Sequence, residues 1–389
     1  MTDAGDPKPV LRRVQRIGLA VGVIAGILSA IEAWVAPEIF FPGYLAGFWY
    51  WLGIALGCWT IAMLHRLTGG AWGFVIRRVL ESGMSTVPLL VLFFLPIIIG
   101  MPHLYPWTNP SIVENDPVLR GKAPYLNTES FIIRAAIYFL LWLVFTQLMN
   151  RWAAADDREE PVEAKERLVN ISGLGMLIWG VSITFASIDW TMSIEPHWYS
   201  TMYGVLFIGG QAVSGMSFAI VVALLLREYE PWVELVRADH LHDLGNLLFA
   251  FVIFWIYVAF MQFLIIWSGD IAEEVEWYIK RIRHNWEWVA LALVILHFFT
   301  PFFALLSRWV KRHPKPLLAT AGLLLVMRLF DLWWMVEPSF WKSPASACWL
   351  GLIGPIAMGG FWVAWFAWSL SHRSQLPIHR AYLPGGSHG

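Results

Sequence analysis

The chain has 389 residues, is 58% hydrophobic and only 14% charged, and its mean hydropathy is +0.58. That much apolar surface cannot be hidden in a water-soluble core of this length, and a formal net charge of −1 offers no basic field for a nucleic-acid partner. Apolar runs of about 20 residues, each long enough to cross ~30 Å of hydrocarbon, place the chain among polytopic membrane proteins.

Ten spans are predicted in chain order, at 17–36, 46–65, 84–100, 130–149, 168–194, 202–226, 244–268, 286–307, 316–337 and 347–371. Each is too long for a barrel strand and lacks strict alternation, so an all-α fold is expected. The first run follows basic residues, as a signal peptide would. It is about 20 residues long, however, and carries Glu32 near its outer end, which fits an uncleaved first helix. Gly18, Gly22 and Gly26 in span one, and Gly53 and Gly57 in span two, recur at four-residue spacing and read as surfaces where helix backbones approach closely. Next, "AWGFVIRRVLES" at 71–82 sets Trp, Phe, Val and Ile beside Arg77 and Arg78, the pattern of an amphipathic helix lying in the inner interface. The loop 101–129 is polar and Pro-rich, either a lid or a docking surface, and 151–167 mixes charges densely, as a solvated linker does.

Lys and Arg fix the orientation. The loops and tails on the N-terminal side carry 19 of them and the opposite loops 6, with Arg134 and Arg328 inside spans. The positive-inside rule therefore puts both termini in the cytoplasm.

Two stretches resemble each other. "IDWTMSIEPHWYS" at 188–200 and "FDLWWMVEPSFWKS" at 330–343 both place Asp and Glu six residues apart, then Pro, Trp and Ser (Asp189, Glu195, Trp198 and Ser200; Asp331, Glu337, Trp341 and Ser343). They end the fifth and ninth spans, which run in the same direction. An offset of four helices preserves direction, so the repeat is parallel, about an axis along the membrane normal. The expected layout is two four-helix bundles, 46–200 and 201–345, flanked by the first helix with its N-terminal tail (1–45) and by the tenth with its tail (346–389).

The chain has two cysteines, Cys58 and Cys348, no CxxCH for a c-type haem and no cysteine set for an iron–sulfur cluster. Embedded b-type haems would need histidine pairs at membrane depth, and only His297 lies clearly mid-span. No redox metal of its own is expected.

Ionisable groups inside a bilayer are costly, roughly 2.5–3.5 kcal/mol at a helix centre, and read as functional by default. In the second bundle Arg328 and Asp331 share a helical face, and His297 lies at comparable depth. A proton path or quinol site and a buried pair that only fixes packing are equally good readings. In the first bundle Asp189, Glu195 and His197 gather at the outer end of span five, with Arg134 as a counter-ion. Carboxylates and a histidine at an interface suit proton acceptance from a quinol. For Glu195 and Glu337, near the headgroups, a plain helix stop competes with that role; for the deeper Asp189 and Asp331 function leads. On the inner face Asp239, His240, His242 and Asp243 precede span seven as a proton entry, or as a helix cap with solvated neighbours. Two histidines at i, i+2 do not share a helix face, which argues against metal.

"LTGGAWGFVIRRVLE" (67–81), "SIEPHWYSTMYG" (193–204) and "HDLGNLLFAFVIFWIYVAFMQFLIIWSGDIAEEVEWY" (242–278) resemble one family. It is the second, shorter polysulfide-reductase-like (NrfD-like) membrane subunit of bacterial alternative complex III, a quinol:electron-acceptor oxidoreductase. The resemblance implies two four-helix bundles with flanking helices in the bacterial cytoplasmic (inner) membrane. It implies as partners a larger paralogous NrfD-like subunit, an outer iron–sulfur subunit, haem c subunits and other small membrane subunits. Iron–sulfur clusters and haem c would then belong to those partners, and menaquinone or ubiquinone would be the bilayer-borne substrate. The longer paralogue is the better place for the quinol site, leaving this chain's acids, His297 and Arg328 to a proton path or to architecture.

Three functions are therefore weighed: a non-metal subunit of a quinol-oxidising complex, assisting quinol binding or proton transfer and not catalytic alone; a purely structural anchor of that complex; and an independent secondary transporter, suggested by the parallel repeat and buried acids. No span has the strongly broken midsection that transporter sites favour.

Overall fold

The computed structural model describes residues 5–156, 162–341 and 349–373, and among them the chain is helical with no strand. Cys348, Lys342 and Ser343, with 157–161 of the 151–167 linker and the C-terminal tail beyond 373, lie outside the described residues. The protein is an all-α polytopic membrane protein. Among the described residues nine helices are long and apolar enough to cross a bilayer, ten when one bent pair is taken as a single span.

In chain order these are α1 (Lys8–Val35), α2 (Pro37–Thr68), α3 (Trp72–Met84), α4 (Val87–Ile99), α5 (Thr128–Asp156), α6 (Val162–Trp190) and α7 (Tyr203–Leu225). Then come α8 (Ala238–Gly269), the shorter α9 (Ala272–Arg281), α10 (Trp286–Leu306), α11 (Pro314–Val336) and α12 (Ile353–His372). The loops after α1, α4, α6, α8 and α11 lie on the face opposite the N-terminus, here the distal face.

Two boundaries differ from the sequence reading. Helix α2 begins at Pro37 rather than near residue 46, because proline at the first helical position gives up only an N–H that would be unsatisfied anyway. Residues 72–84 do not lie as a surface helix in the interface. Helix α3 is buried along nearly its whole length against α2, α7 and α12, and meets α4 at 41°. Pro88, in the first turn of α4, accounts for the bend. The charges that suggested a headgroup-facing side are satisfied internally: Arg77 Nε and Arg78 Nη1 each donate to Glu81 at 2.8 Å.

Packing is similar in the two halves. Helix α2 touches α6 in its own half and α11 in the other; α7, its counterpart, touches α11 in its own half and α6 in the other. The pairs α5–α6 and α4–α5 are matched by α10–α11 and α8–α10. At the centre α2 and α7 meet through Gly57 and Gly215, whose backbones are in contact. Helix α1 lies along α12: a Cβ on Gly18 would come within 2.9 Å of the Gly360 carbonyl oxygen, and one on Gly22 within 2.9 Å of the Phe361 nitrogen. Gly26 faces the Phe361 ring, and Gly53 faces Gln211 and Ser214 of α7. The glycine stripes are thus packing surfaces within the chain.

Candidate functional site

The two repeated endings are both followed by a 3₁₀ turn, Met192–Ile194 after α6 and Glu337–Ser339 after α11. Their surroundings differ.

In the first bundle Asp189 is fully buried. Its carboxylate accepts from Arg134 Nε and from the Tyr138 hydroxyl, both at 2.8 Å. Arg134 also donates to the Tyr125 carbonyl at 2.9 Å and lies 3.9 Å from that ring's centroid. The neighbouring Trp190 fills the space beside Asp189, with ring centroids of Phe94 at 4.6 Å, Trp49 at 5.5 Å and Phe139 at 5.7 Å. This acid is tied down inside an aromatic plug.

Glu195 and His197 do not join it. His197 Nε2 lies 2.7 Å from Asp116 Oδ2 on the exposed distal surface. Glu195 turns toward the other half, where it accepts from Lys280 Nζ at 2.9 Å, Arg281 Nη1 at 3.0 Å and the Ser339 hydroxyl at 2.6 Å. Burial alone would raise its pKa. The Arg281 charge, the Ser339 hydrogen bond and Lys280 outweigh that and hold it below the ordinary 4.5. Arg281 is 1% exposed; it also donates to the Met335 carbonyl at 2.7 Å and stacks 3.6 Å from the Trp277 ring centroid. Residue 281 thus joins the two repeated endings, a role that sequence reasoning missed. The available signal was the order of charges in α9, acidic Glu273 and Glu274 first and basic Lys280 and Arg281 last, which marks a helix stabilised along its dipole.

In the second bundle Arg328 donates to Asp331 within one turn of α11, and both are buried. The guanidinium occupies the space that a Cβ on Gly210 would need. His297 is 1% exposed, sits in a π-helical stretch of α10 (Leu293–Phe299) and lies against Trp255, ring centroids 4.1 Å apart. Neither of its ring nitrogens has a hydrogen-bond partner among the described residues. Short π segments recur where a helix face is re-aimed at a site.

A cavity of about 660 Å³ lies between α8, α9, α10 and α11, with Asp331 in its wall. Its side passes Tyr257, Phe260 and Phe299, which are exposed on the molecule's lateral surface, so it opens toward the bilayer. Its size falls in the range of small-molecule sites. Trp255 and Gln262 also line it, neither of them found from the sequence.

Two acids are left apart. Glu337 is 2% exposed with Oε2 unpartnered, and Glu32 is 7% exposed with neither oxygen partnered, among the described residues. The face opposite the distal one disperses the predicted cluster. Asp239 pairs with Arg312 at 2.6 Å, and His240 Nδ1 meets the Leu235 carbonyl at 2.7 Å. His242 lies 3.3 Å from Asn246 and 3.9 Å from Asp243, and Asn246 takes a 2.7 Å hydrogen bond from Lys311. Leu248, Val252, Leu305, Leu317 and Leu324, all buried, lie between these groups and the Arg328–Asp331 pair. Asn246 and Trp255 are themselves nine residues apart, about 13 Å of helix.

No protein-family model matches this chain, and a search of curated proteins finds no match either.

Proposed function

We propose that this chain is an integral membrane subunit of a respiratory quinol:electron-acceptor oxidoreductase of the alternative complex III type, and that its second half handles a proton inside the bilayer. The observation that carries this reading is buried Asp331, paired with Arg328, in the wall of a cavity open to lipid, with His297 beside Trp255 in the same bundle. Oxidising a quinol releases two protons and two electrons. A carboxylate held by an arginine, with an imidazole in the same bundle, is suited to accept a proton and pass it on. The electrons go to partners: a larger paralogous subunit, an iron–sulfur subunit and haem c subunits. Sequence resemblance supports those partners and a bacterial cytoplasmic membrane, and the excess of Lys and Arg on the N-terminal side supports both termini inside and the distal face outside.

The first bundle favours a second, narrower role. Asp189 with its arginine, tyrosine and aromatic neighbours is built as an architectural centre, so this half serves as an anchor. The test is capture of the tagged chain from native membranes in mild detergent, followed by a reduced-minus-oxidised spectrum. A c-type haem signal with partner subunits is expected. A colourless, solitary chain would overturn the reading and favour an independent transporter.

A further inference from the structure

We infer that the groove between α5 and α6, at the face opposite the distal one, is a binding site for a membrane phospholipid. The phosphate sits at Arg167 and Asn170, and one acyl chain lies along the groove toward the midplane. The site is in the first half of the molecule, away from Asp331 and its cavity, and the inference requires only that the chain spans a bilayer.

The lining residues grade from polar to apolar in the order that a phospholipid does. The groove has a volume of about 360 Å³ and lies between two helices that run in opposite directions. Helix α5 contributes Trp152, Leu148 and Phe145, and α6 contributes Arg167, Ile171 and Leu174. Each set recurs every three or four residues along one helical face and covers seven residues, about 10 Å of depth. Trp152 and Arg167 stand nearest the helix ends at Asp156 and Val162, and Phe145 and Leu174 stand farthest from them. Asn170 lies three residues beyond Arg167 on the same face, and both are exposed. A guanidinium presents five N–H donors in a planar fork that matches a phosphate, and a carboxamide adds two more. An indole beside them suits the headgroup level. Deeper in the groove every lining side chain is apolar.

The surface of α6 extends the groove upward. A Cβ on Gly173 or on Gly180 would meet no atom within 4 Å, and between and beside them Leu177 and Val181 are 69% and 59% exposed. Arg167 and Gly180 are thirteen residues apart, about 20 Å of helix, which exceeds the ~15 Å of hydrocarbon in one leaflet. A partner's transmembrane helix is the poorer occupant. With its side chains it is about 10–12 Å across and would need roughly 800 Å³ over the same 10 Å of depth, twice what the groove holds. A single chain of methylenes enters where a helix would only rest on the rim.

The experiment uses the full-length chain, with the partners it keeps in mild detergent, reconstituted into nanodiscs. The probes are phosphatidylglycerol, phosphatidylethanolamine and diacylglycerol, each with a photoreactive diazirine on the same acyl chain, and cross-links are located by mass spectrometry. Both phospholipids are expected to label Phe145, Leu148 and Leu174, within about threefold of each other, because the phosphodiester is common to them. Diacylglycerol, which has the tails without the phosphate, should label about tenfold less. Arg167→Gln should lower phospholipid labelling about fivefold and leave diacylglycerol unchanged. Leu174→Trp, which fills the groove, should lower labelling by every probe about tenfold. Equal labelling by diacylglycerol, unchanged labelling in both variants, or cross-links spread evenly over the lateral surface would each overturn the assignment. A difference above tenfold between the two phospholipids would overturn recognition through the phosphate. Labelling of the solitary chain that disappears when partners are bound would give the groove to a partner helix and overturn it too. If Arg167→Gln does not fold, Leu174→Trp and the diacylglycerol comparison decide.

Discussion

The two halves carry the same acid at the same place, and only one leaves it within reach of anything. Asp189 is followed by Trp190, which packs among Phe94, Trp49 and Phe139; Asp331 is followed by Leu332, and a cavity of about 660 Å³ lies at its side. The counter-ion has moved as well. Arg134 reaches Asp189 from a neighbouring helix and is helped by Tyr138, whereas Arg328 sits on the same helix as Asp331. One occurrence of this constellation is thus a filled joint, and the other borders an opening. Keeping a buried ion pair is not in itself a source of stability, since desolvation offsets most of the attraction. What separates the halves is access.

The comparison can be broken most sharply at the arginines. Arg328→Ala leaves Asp331 buried without its partner and is expected to destabilise the protein by about 3–5 kcal/mol, read as loss of folded material on heating in detergent. The double change Arg328→Met with Asp331→Leu should recover most of that while abolishing function; recovery of both would deny the pair its role. A smaller effect tests the plug. Trp190→Leu should cost about 2–4 kcal/mol by opening a void in the first bundle. The reciprocal Leu332→Trp should cost about 1–3 kcal/mol by overpacking, because Leu332 is buried in the core and does not line the cavity.

The tie between the halves is smaller still. Glu195 has its pKa depressed by Arg281, Ser339 and Lys280 despite its burial, so its stabilisation is fully present above about pH 4.5 and is lost as pH falls through the depressed value. Glu195→Gln should therefore lower thermal stability by about 1–3 kcal/mol at neutral pH and flatten the acid-side decline below pH 4.5. A mutant that declines in that window as the parent does would place the acid sensitivity elsewhere. Least is expected of His197→Ala, which breaks an exposed pair and should change stability by about 0–1 kcal/mol.

Much of this architecture is legible in the residues. Apolar run lengths mark the spans, the spacing Asp-x₅-Glu-Pro marks the duplication, and Arg328 three residues before Asp331 announces its own partner. The misreading of α3 has a physical cause: an amphipathic pattern says that a helix has two faces, but not whether lipid or protein covers them. The tie made by Arg281 was hidden because it joins residues 86 and 54 positions away, Glu195 and Met335, through a fold that no local pattern encodes. The cavity was hidden for a different reason. A void is the absence of side-chain volume, which no local pattern in the sequence records.

The most direct measurement compares Asp331→Asn with Asp189→Asn in the purified complex, reconstituted in liposomes, recording quinol turnover and protons moved per electron at equal assembly. The account predicts that Asp331→Asn cuts turnover or its proton coupling at least tenfold while Asp189→Asn leaves both within twofold of the parent. Equal losses, a larger loss in Asp189→Asn, or normal turnover and coupling in both would contradict it.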